Sequence, residues 1–194
     1  MHDALRSLLA ARDGHFRFES GHHGRLWLDL DAVFWQPAAV EPLAAELSRR
    51  LARHRVEAVV APLSGGALLG FRVAAMLAVP FVATERGTIE RGSLYSAAYA
   101  LPASLGSRLH GLRVAVVDDV VNAGSAVGAS LAAVTARGGV PVVTGALLRL
   151  GDTALRRPAV AALPLESLEV WSNDLWPPAR CPLCARGLEW EDAP

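Results

Sequence analysis

From Val56 onward, short apolar runs alternate with longer segments that have the periodicity of helices. The runs are rich in β-branched residues and carry no polar alternation, as expected for strands that are buried on both faces of a sheet. Strands that alternate with helices usually run parallel, so we predict an open α/β fold with right-handed crossovers. The predicted strands are Val56–Ala61, Phe81–Ala83, Arg113–Val117 and Pro141–Leu148, and the predicted helices are Gly66–Leu77 and Ser125–Arg137.

Residues 1–55 follow a different pattern, which predicts a small N-terminal hood. An amphipathic helix over about Ala4–Ala11 precedes two short strands, His15–Phe18 and Arg25–Leu30. The sequence between the strands, Ser-Gly-His-His-Gly, has the composition of a turn. A helix over about Ala38–His54 follows, with leucines repeating along one face.

The predicted core spans residues 56–150, and residues 84–112 interrupt it with a connection of mixed polarity. Connections of this length are usually functional or mobile, although a solvated excursion with some helix of its own is the alternative. Residues 151–194 are rich in proline and end acidic, so we expect a C-terminal strand and tail packed on the core. Ligands of open α/β folds bind at the carboxyl ends of the strands, and the loops there are where chemistry is expected.

Composition and charge narrow the classes of function. The 194 residues are 52% hydrophobic and 20% charged, as in an ordinary globular domain, and the formal net charge of zero argues against nucleic-acid binding. All 19 basic residues are arginine, which excludes a Schiff-base lysine and the lysine of a nucleotide-binding P-loop. There is no disulfide framework, no pattern of a secretory leader and no membrane-spanning run, so we expect a cytoplasmic protein without membrane contact.

The most informative segment begins with the predicted strand Arg113–Val117. Two adjacent carboxylates, Asp118 and Asp119, follow it, and a turn of small residues then opens a helix. Each hydrogen bond from a ribose hydroxyl to a carboxylate would contribute on the order of 1.5–3 kcal/mol, and free amides at a helix N-terminus can hold a phosphate. We therefore predict a ribose 5-phosphate cradle, the alternative being a solvated Asp pair before an ordinary capped helix. The predicted phosphate-binding residues are Asn122, Ala123, Gly124, Ser125 and Ala126.

This block resembles the phosphoribosyl pyrophosphate motif of type I phosphoribosyltransferases, in which a hydrophobic strand, two acidic residues and a Thr/Ser/Gly-rich loop bind the ribose and its 5-phosphate. Asn122 and Ala123 stand where that family often has two threonines, so hydroxyl donors are lost and the backbone donors remain. The resemblance implies the family's open parallel sheet with a hood, a homodimer, and Mg²⁺ held mainly by the substrate rather than by protein ligands. It also assigns the catalytic carboxylates to Asp118 and Asp119.

A second loop, Ala61-Pro-Leu-Ser-Gly-Gly, follows the strand residues Val56–Val60 and precedes a helix, so its amides also face an anion. It is similar to the family's pyrophosphate loop, which makes Ser64, Gly65 and Gly66 substrate-binding residues. An ordinary Gly-Gly turn is the alternative interpretation.

Base recognition is predicted from resemblance to orotate phosphoribosyltransferases. The segment that begins at Gly14 is similar to the opening of that subfamily, whose basic and aromatic positions contact the base and correspond here to His23 and Trp27. Two exposed turn histidines, His22 and His23, are the alternative. Arg149 stands near the position where the orotate enzymes place an arginine for the base carboxylate.

The long connection of the family brings cations over the departing pyrophosphate, commonly with a lysine. Here Arg86 and Arg91 are the candidates for stabilising that developing negative charge, because guanidinium is a good bidentate partner of phosphate. Arginine donates a proton less readily than lysine, so neither residue is expected to be a general acid.

Cys181 and Cys184 form a single C-x-x-C in a tail that resembles one branch of the orotate enzymes. Such a pair is half of a structural zinc site, which needs four ligands. A symmetric dimer is one source of the other half, and a reduced thiol pair or a local packing motif is the interpretation that we prefer.

The sequence thus predicts an enzyme that transfers a phosphoribosyl group from phosphoribosyl pyrophosphate to a nitrogenous base, with orotate preferred. Two alternatives stay open. One is an enzyme of the same family that uses another base, such as a purine. The other is a ligand sensor that has kept the cradle and lost the chemistry of the connection.

Overall fold

The computed structural model describes residues 2–18, 20–86 and 99–193, and its body is a six-stranded sheet between two layers of helices. In chain order the elements are α1 (His2–Leu8), β1 (Arg12–Arg17), β2 (His23–Trp27), α2 (Pro37–Ala52), β3 (Ala58–Pro62), α3 (Gly65–Leu77), β4 (Phe81–Arg86), β5 (Tyr99–Ala100), α4 (Ala103–Gly106), β6 (Arg113–Val121), α5 (Ser125–Ala136), β7 (Val140–Leu150), α6 (Pro158–Ala161), β8 (Leu165–Trp171), β9 (Leu175–Trp176), α7 (Pro182–Ala185) and β10 (Glu191–Asp192).

The large sheet has the strand order β5-β4-β3-β6-β7-β8. The pairs from β4 to β8 are parallel, and the short β5 pairs antiparallel with β4 at the edge. The predicted open α/β fold with a parallel sheet is confirmed. Four predicted strands are present with shifted ends, and β6 continues to Val121, so the two acids lie inside the strand rather than after it.

Two apolar clusters hold the helices against the sheet. One face packs on α2 and α3 through side chains such as Leu47, Leu51 and Leu69, all fully buried. The other face packs on α5 through Val127 and Leu131. Both faces of the central strands are therefore covered, which explains why these strands lack polar alternation.

A smaller, four-stranded sheet has the order β10-β1-β2-β9. The hairpin of β1 and β2 comes from the predicted hood, whereas β9 and β10 come from the predicted C-terminal tail. The hood is therefore built from both ends of the chain.

The described parts of residues 84–112 contain the end of β4, then β5, α4 and a 3-10 helix at Ser107–Leu109. Across the described ranges, no helix combines the length and the apolar character needed to cross a bilayer.

Candidate active site

Two acids lie near the carboxyl end of β6, beside the N-terminus of α3. Asp118 and Asp119 are each 7% exposed. One oxygen of Asp118 accepts the backbone N–H of Asp119 at 3.1 Å, and one oxygen of Asp119 accepts the N–H of Val120 at 2.9 Å. Neither acid forms an ion pair with another described residue, so both keep acceptor capacity for a ligand.

The electrostatics of this pair favour a ligand that brings donors or positive charge. Burial raises the pKa of Asp118 well above its ordinary value, and the neighbouring charge of Asp119 raises it further. Hydroxyl donors or a cation beside the pair would favour the ionised form.

The glycine loop before α3 lies directly against these acids. A Cβ atom placed on Gly65 would come within 2.1 Å of an Asp119 oxygen, and one placed on Gly66 would come within 2.4 Å of an Asp118 oxygen. Ser64 stands at the N-cap of α3, a helix of 13 residues. The structure thus brings the predicted pyrophosphate loop and the predicted acids together, and only glycine leaves room for that contact.

The loop between β6 and α5 presents a row of free amides. Gly124 has a φ of 69°, a conformation that suits glycine, and α5 begins at Ser125. Among the described residues, the amides of residues 122–127 donate no hydrogen bond, and the first to do so is Gly128, to the carbonyl of Gly124. These amides lie at the N-terminus of a 12-residue helix, where an anion is stabilised.

Arg157 crosses this loop, and the sequence analysis did not predict it as a site residue. Its Nε donates to the carbonyl of Ala123 at 2.6 Å, and an Nη donates to the Ser125 hydroxyl at 3.0 Å. The residue is exposed and lies just before α6, far along the chain from the motif. A guanidinium here adds a cation to a loop whose other donors are backbone and hydroxyl groups. No local sequence signal links it to the loop.

A cleft of about 480 Å³ opens between the small sheet and this end of the large sheet. Trp27 and Asn122, both predicted to bind substrate, line it together with Val120, which directly follows Asp119. The Asn122 side chain also accepts a hydrogen bond from Asn173 at 2.7 Å, a second contact from the C-terminal part of the chain. The cleft is mixed in character, with aromatic and aliphatic walls and a few polar groups, as is usual for ligand sites.

Comparison with known proteins adds independent information. An orotate phosphoribosyltransferase of Desulforamulus reducens is 32% identical over 179 residues, which cover 92% of this chain and 87% of that protein. One of Thermus thermophilus is 31% identical over 184 residues, covering 94% of this chain and 93% of that protein. This chain belongs to the orotate phosphoribosyltransferase family. The resemblance predicted from the motif is thereby confirmed, although a scan against models of known families finds no match.

Solved structures agree on the fold of the family. The orotate phosphoribosyltransferase of Aeropyrum pernix superposes with a TM-score of 0.68 at 20% identity, covering 87% of this chain and 92% of that one. The adenine phosphoribosyltransferase of Thermoanaerobacter pseudethanolicus superposes with a TM-score of 0.66 at 20% identity, covering 88% of this chain and 100% of that one.

His23 does not lie where the comparison with orotate enzymes predicted it. The residue is 3% exposed, and its ring hydrogen-bonds to His15 and is in contact with Cys184. Burial lowers the pKa of His23, and the neighbouring His15 and Arg17 lower it further, so the neutral ring is favoured. A buried neutral histidine outside the cleft cannot serve as the cation for a base carboxylate, and the sequence interpretation is corrected on this point. The alternative of an exposed turn residue is also wrong for His23, since it lies in β2.

Arg149 is likewise directed away from the cleft. It lies inside β7, where Leu150 lines the cleft, and neighbouring side chains of a strand face opposite sides of the sheet. Its guanidinium is paired with Asp152 at 3.2 Å, and its Nε is buried without a partner in the described part of the chain. Its predicted contact with the base carboxylate is therefore not supported by this position.

The structure describes only one of the two predicted cations of the long connection, and only its backbone. The backbone of Arg86 ends β4, at the same edge of the sheet as the glycine loop. Arg91 lies outside the described residues.

Proposed function

We propose that this chain transfers a 5-phosphoribosyl group from phosphoribosyl pyrophosphate to a nitrogenous base, preferably orotate, giving orotidine 5′-phosphate and pyrophosphate. The observation that carries the proposal is the contact between the acids of β6 and the glycine loop of α3, next to the free amides of α5. That contact joins a site for a diol to two sites for phosphates, as one molecule of the donor requires.

Each part of the site has a role in this reaction. Asp118 and Asp119 accept hydrogen bonds from the ribose hydroxyls and stabilise the positive charge that develops on the ribose ring. Residues 122–126 hold the 5-phosphate, and residues 64–66 hold the pyrophosphate. Trp27 lines the cleft where the base would stack. No side-chain nucleophile is needed, because positioning of both reactants and neutralisation of the leaving group supply the rate enhancement.

Mg²⁺ fits the donor set of this site. Asp118 and Asp119 are oxygen donors without a cationic partner among the described residues, and Mg²⁺ prefers oxygen ligands. Most of its ligands would come from the substrate and water. When bound, it would offset the charge of the pyrophosphate.

A second candidate is the same reaction with a base that carries no carboxylate, such as a purine. The displacement of both His23 and Arg149 from the cleft favours it, since neither offers a cation to a carboxylate there. The fold is also shared with an adenine phosphoribosyltransferase, which is compatible with either base.

The deciding experiment measures pyrophosphate release from phosphoribosyl pyrophosphate and Mg²⁺ with orotate, adenine, guanine and hypoxanthine in separate reactions. Nucleotide formation with orotate supports the first candidate, and formation only with a purine supports the second. If none of the four bases supports pyrophosphate release, the result would favour the ligand sensor. Asp119→Asn should abolish turnover with retained folding, whereas Asp31→Asn, on the exposed surface, should leave it unchanged.

We also propose a cytoplasmic homodimer. The exposed face of α3 carries Leu68 and Phe71, which are 56% and 58% exposed, and Leu63 lies just before it at 63%. Several large apolar side chains on one surface suit an interface between subunits. Neither cysteine forms a disulfide in the described part of the chain, which suits a reducing compartment.

A further inference from the structure

A cluster of two histidines and two cysteines joins the two ends of the chain. His15 comes from β1 and His23 from β2, whereas Cys181 directly precedes α7 and Cys184 lies within it. One potential ligand atom from each side chain lies within 4.8 Å of all the others. His15, His23 and Cys181 are at most 6% exposed, so the cluster is closed to solvent on most sides.

The distances inside the cluster suit a tetrahedral metal ion. Nε2 of His15 lies 2.8 Å from Nδ1 of His23, and 3.4 and 3.7 Å from the two sulfurs. The sulfur of Cys184 lies 3.2 Å from Nδ1 of His23. A tetrahedral ion with two nitrogen and two sulfur ligands separates its ligand atoms by about 3.3–3.8 Å, so small shifts would suffice.

The outer partner of His15 fixes which of its nitrogens can bind a metal. Nδ1 lies 3.0 Å from the carbonyl oxygen of Leu188, which can only accept, so Nδ1 carries the proton. Nε2 then presents its lone pair to the centre of the cluster. This is the outer-shell arrangement that orients histidine ligands in metal sites. A single lone pair cannot accept from three neighbours at once, whereas one metal ion would satisfy all four ligand atoms.

We propose that His15, His23, Cys181 and Cys184 bind a structural zinc ion. Two sulfur and two imidazole ligands in a closed tetrahedron are typical of zinc, and four protein ligands leave no position for catalysis. From the sequence, only Cys181 and Cys184 were recognised as half of a zinc site, and a symmetric dimer was considered as a source of the other two ligands. The structure supplies them from the same chain.

The ion would hold the hood together. β10 pairs with β1, and β9 pairs with β2, each through only two residue pairs. The ion pairs between β1 and β10, Arg12 with Glu191 and Arg17 with Asp192, are exposed, so each contributes little. A metal ion shared by the hairpin and the tail would fix both to one another, beside the cleft that Trp27 lines.

The test uses the full chain, purified without an affinity tag, stripped with a chelator and titrated with Co²⁺ as a spectroscopic probe. We expect the intense visible bands of tetrahedral cobalt and a sulfur-to-cobalt charge-transfer band, saturating at about one equivalent and lost when about one equivalent of Zn²⁺ is added. Cys184→Ser and His15→Ala should each lose these bands. His22→Ala removes an exposed histidine next to β2 and should keep them. Absence of the bands in the wild-type chain, or their loss in His22→Ala, would overturn the proposal.

A second measurement does not depend on any variant. Zn²⁺ should slow the reaction of the wild-type thiols with an aromatic disulfide reagent, and a chelator should restore the rate. Since Cys181 and Cys184 are the only cysteines of the chain, the signal reports on this site alone. Equal rates with and without Zn²⁺, or a disulfide between these cysteines in protein that binds no metal, would contradict a zinc site. Neither readout requires activity, so failure of the proposed reaction leaves this test intact.

Discussion

At the scale of single residues, the site is defined by how closely backbone and carboxylates approach. Gly65 and Gly66 contact the side chains of Asp119 and Asp118, and any Cβ there would overlap a carboxylate oxygen. The sequence shows a Gly-Gly pair and an Asp pair, but not that they meet. Their contact places both pairs where one ligand of the proposed kind could touch them.

Gly65→Ala tests this contact. The added methyl group would displace Asp119 or the N-terminus of α3, and we expect turnover to fall by roughly a hundredfold or more, since small misplacements of reacting groups are costly. Steady-state kinetics with the preferred base would measure the loss. Gly128→Ala is the matched control, because its Cβ would make only an ordinary contact of 3.8 Å, and helix interiors favour alanine over glycine by about 0.5–1 kcal/mol. Equal activity of Gly65→Ala and wild type would contradict the assignment of the loop.

Asp118→Asn tests the electrostatic cost of the site. Burial and the charge of Asp119 raise the pKa of Asp118 in the folded state, so its ionised form destabilises the fold above that pKa. This destabilisation is absent below the ordinary carboxyl pKa of about 3.9, where Asp118 is protonated in both the folded and the unfolded state. We therefore expect the variant to have the higher Tm at pH 7, with the difference closing as the pH falls toward 4. Thermal melts without substrate at several pH values would show this, and a constant or reversed difference would contradict it.

At the scale of elements, the loop between β6 and α5, which we propose binds the 5-phosphate, is contacted by a segment that is distant in sequence. The motif supplies β6, the turn at Gly124 and the start of α5, whereas Arg157 reaches the same turn from just before α6. β7 pairs in parallel with β6, and the chain after it returns over the carboxyl end of the sheet. The topology thus places the Arg157 guanidinium at this turn, although no local sequence pattern predicts it.

Arg157→Ala should weaken the binding of ribose 5-phosphate and of phosphoribosyl pyrophosphate by about tenfold, because a charge-assisted hydrogen bond is worth roughly 1.5–3 kcal/mol and the site is exposed. Isothermal titration calorimetry would measure both affinities. Arg156→Ala, an exposed neighbour without a contact to the loop among the described residues, should bind as the wild type does. Equal affinities of the two variants would remove Arg157 from the phosphate site.

At the scale of the whole molecule, two features of the fold suit the metal ion and the second subunit proposed above. The hood relies on short strand pairs between the two ends of the chain, and α3 exposes large apolar side chains. A metal ion would hold the hood together, and a second copy of the chain would cover the exposed face of α3.

Phe71→Glu should shift the chain toward monomers, since a charge buried in an apolar interface lacks a partner. Light scattering coupled to size-exclusion chromatography would measure the mass in solution. Val170→Glu, on β8 and 52% exposed, should leave the mass unchanged. A monomeric wild type, or a dimer that tolerates Phe71→Glu, would contradict an interface at α3.

The sequence by itself determined the alternation of strands and helices, the parallel sheet and the position of the acidic motif, because these depend on local periodicity and on neighbours along the chain. It also indicated the correct family. Only the tertiary structure decided the contacts between distant segments: Gly65 with Asp119, Arg157 with the loop between β6 and α5, and His15 and His23 with the cysteines. The same limit explains the misplaced base contacts, since the face of a strand on which His23 or Arg149 lies depends on register and packing against other elements. Those interactions arise only when the chain has folded, so no pattern of residues along it could have fixed them.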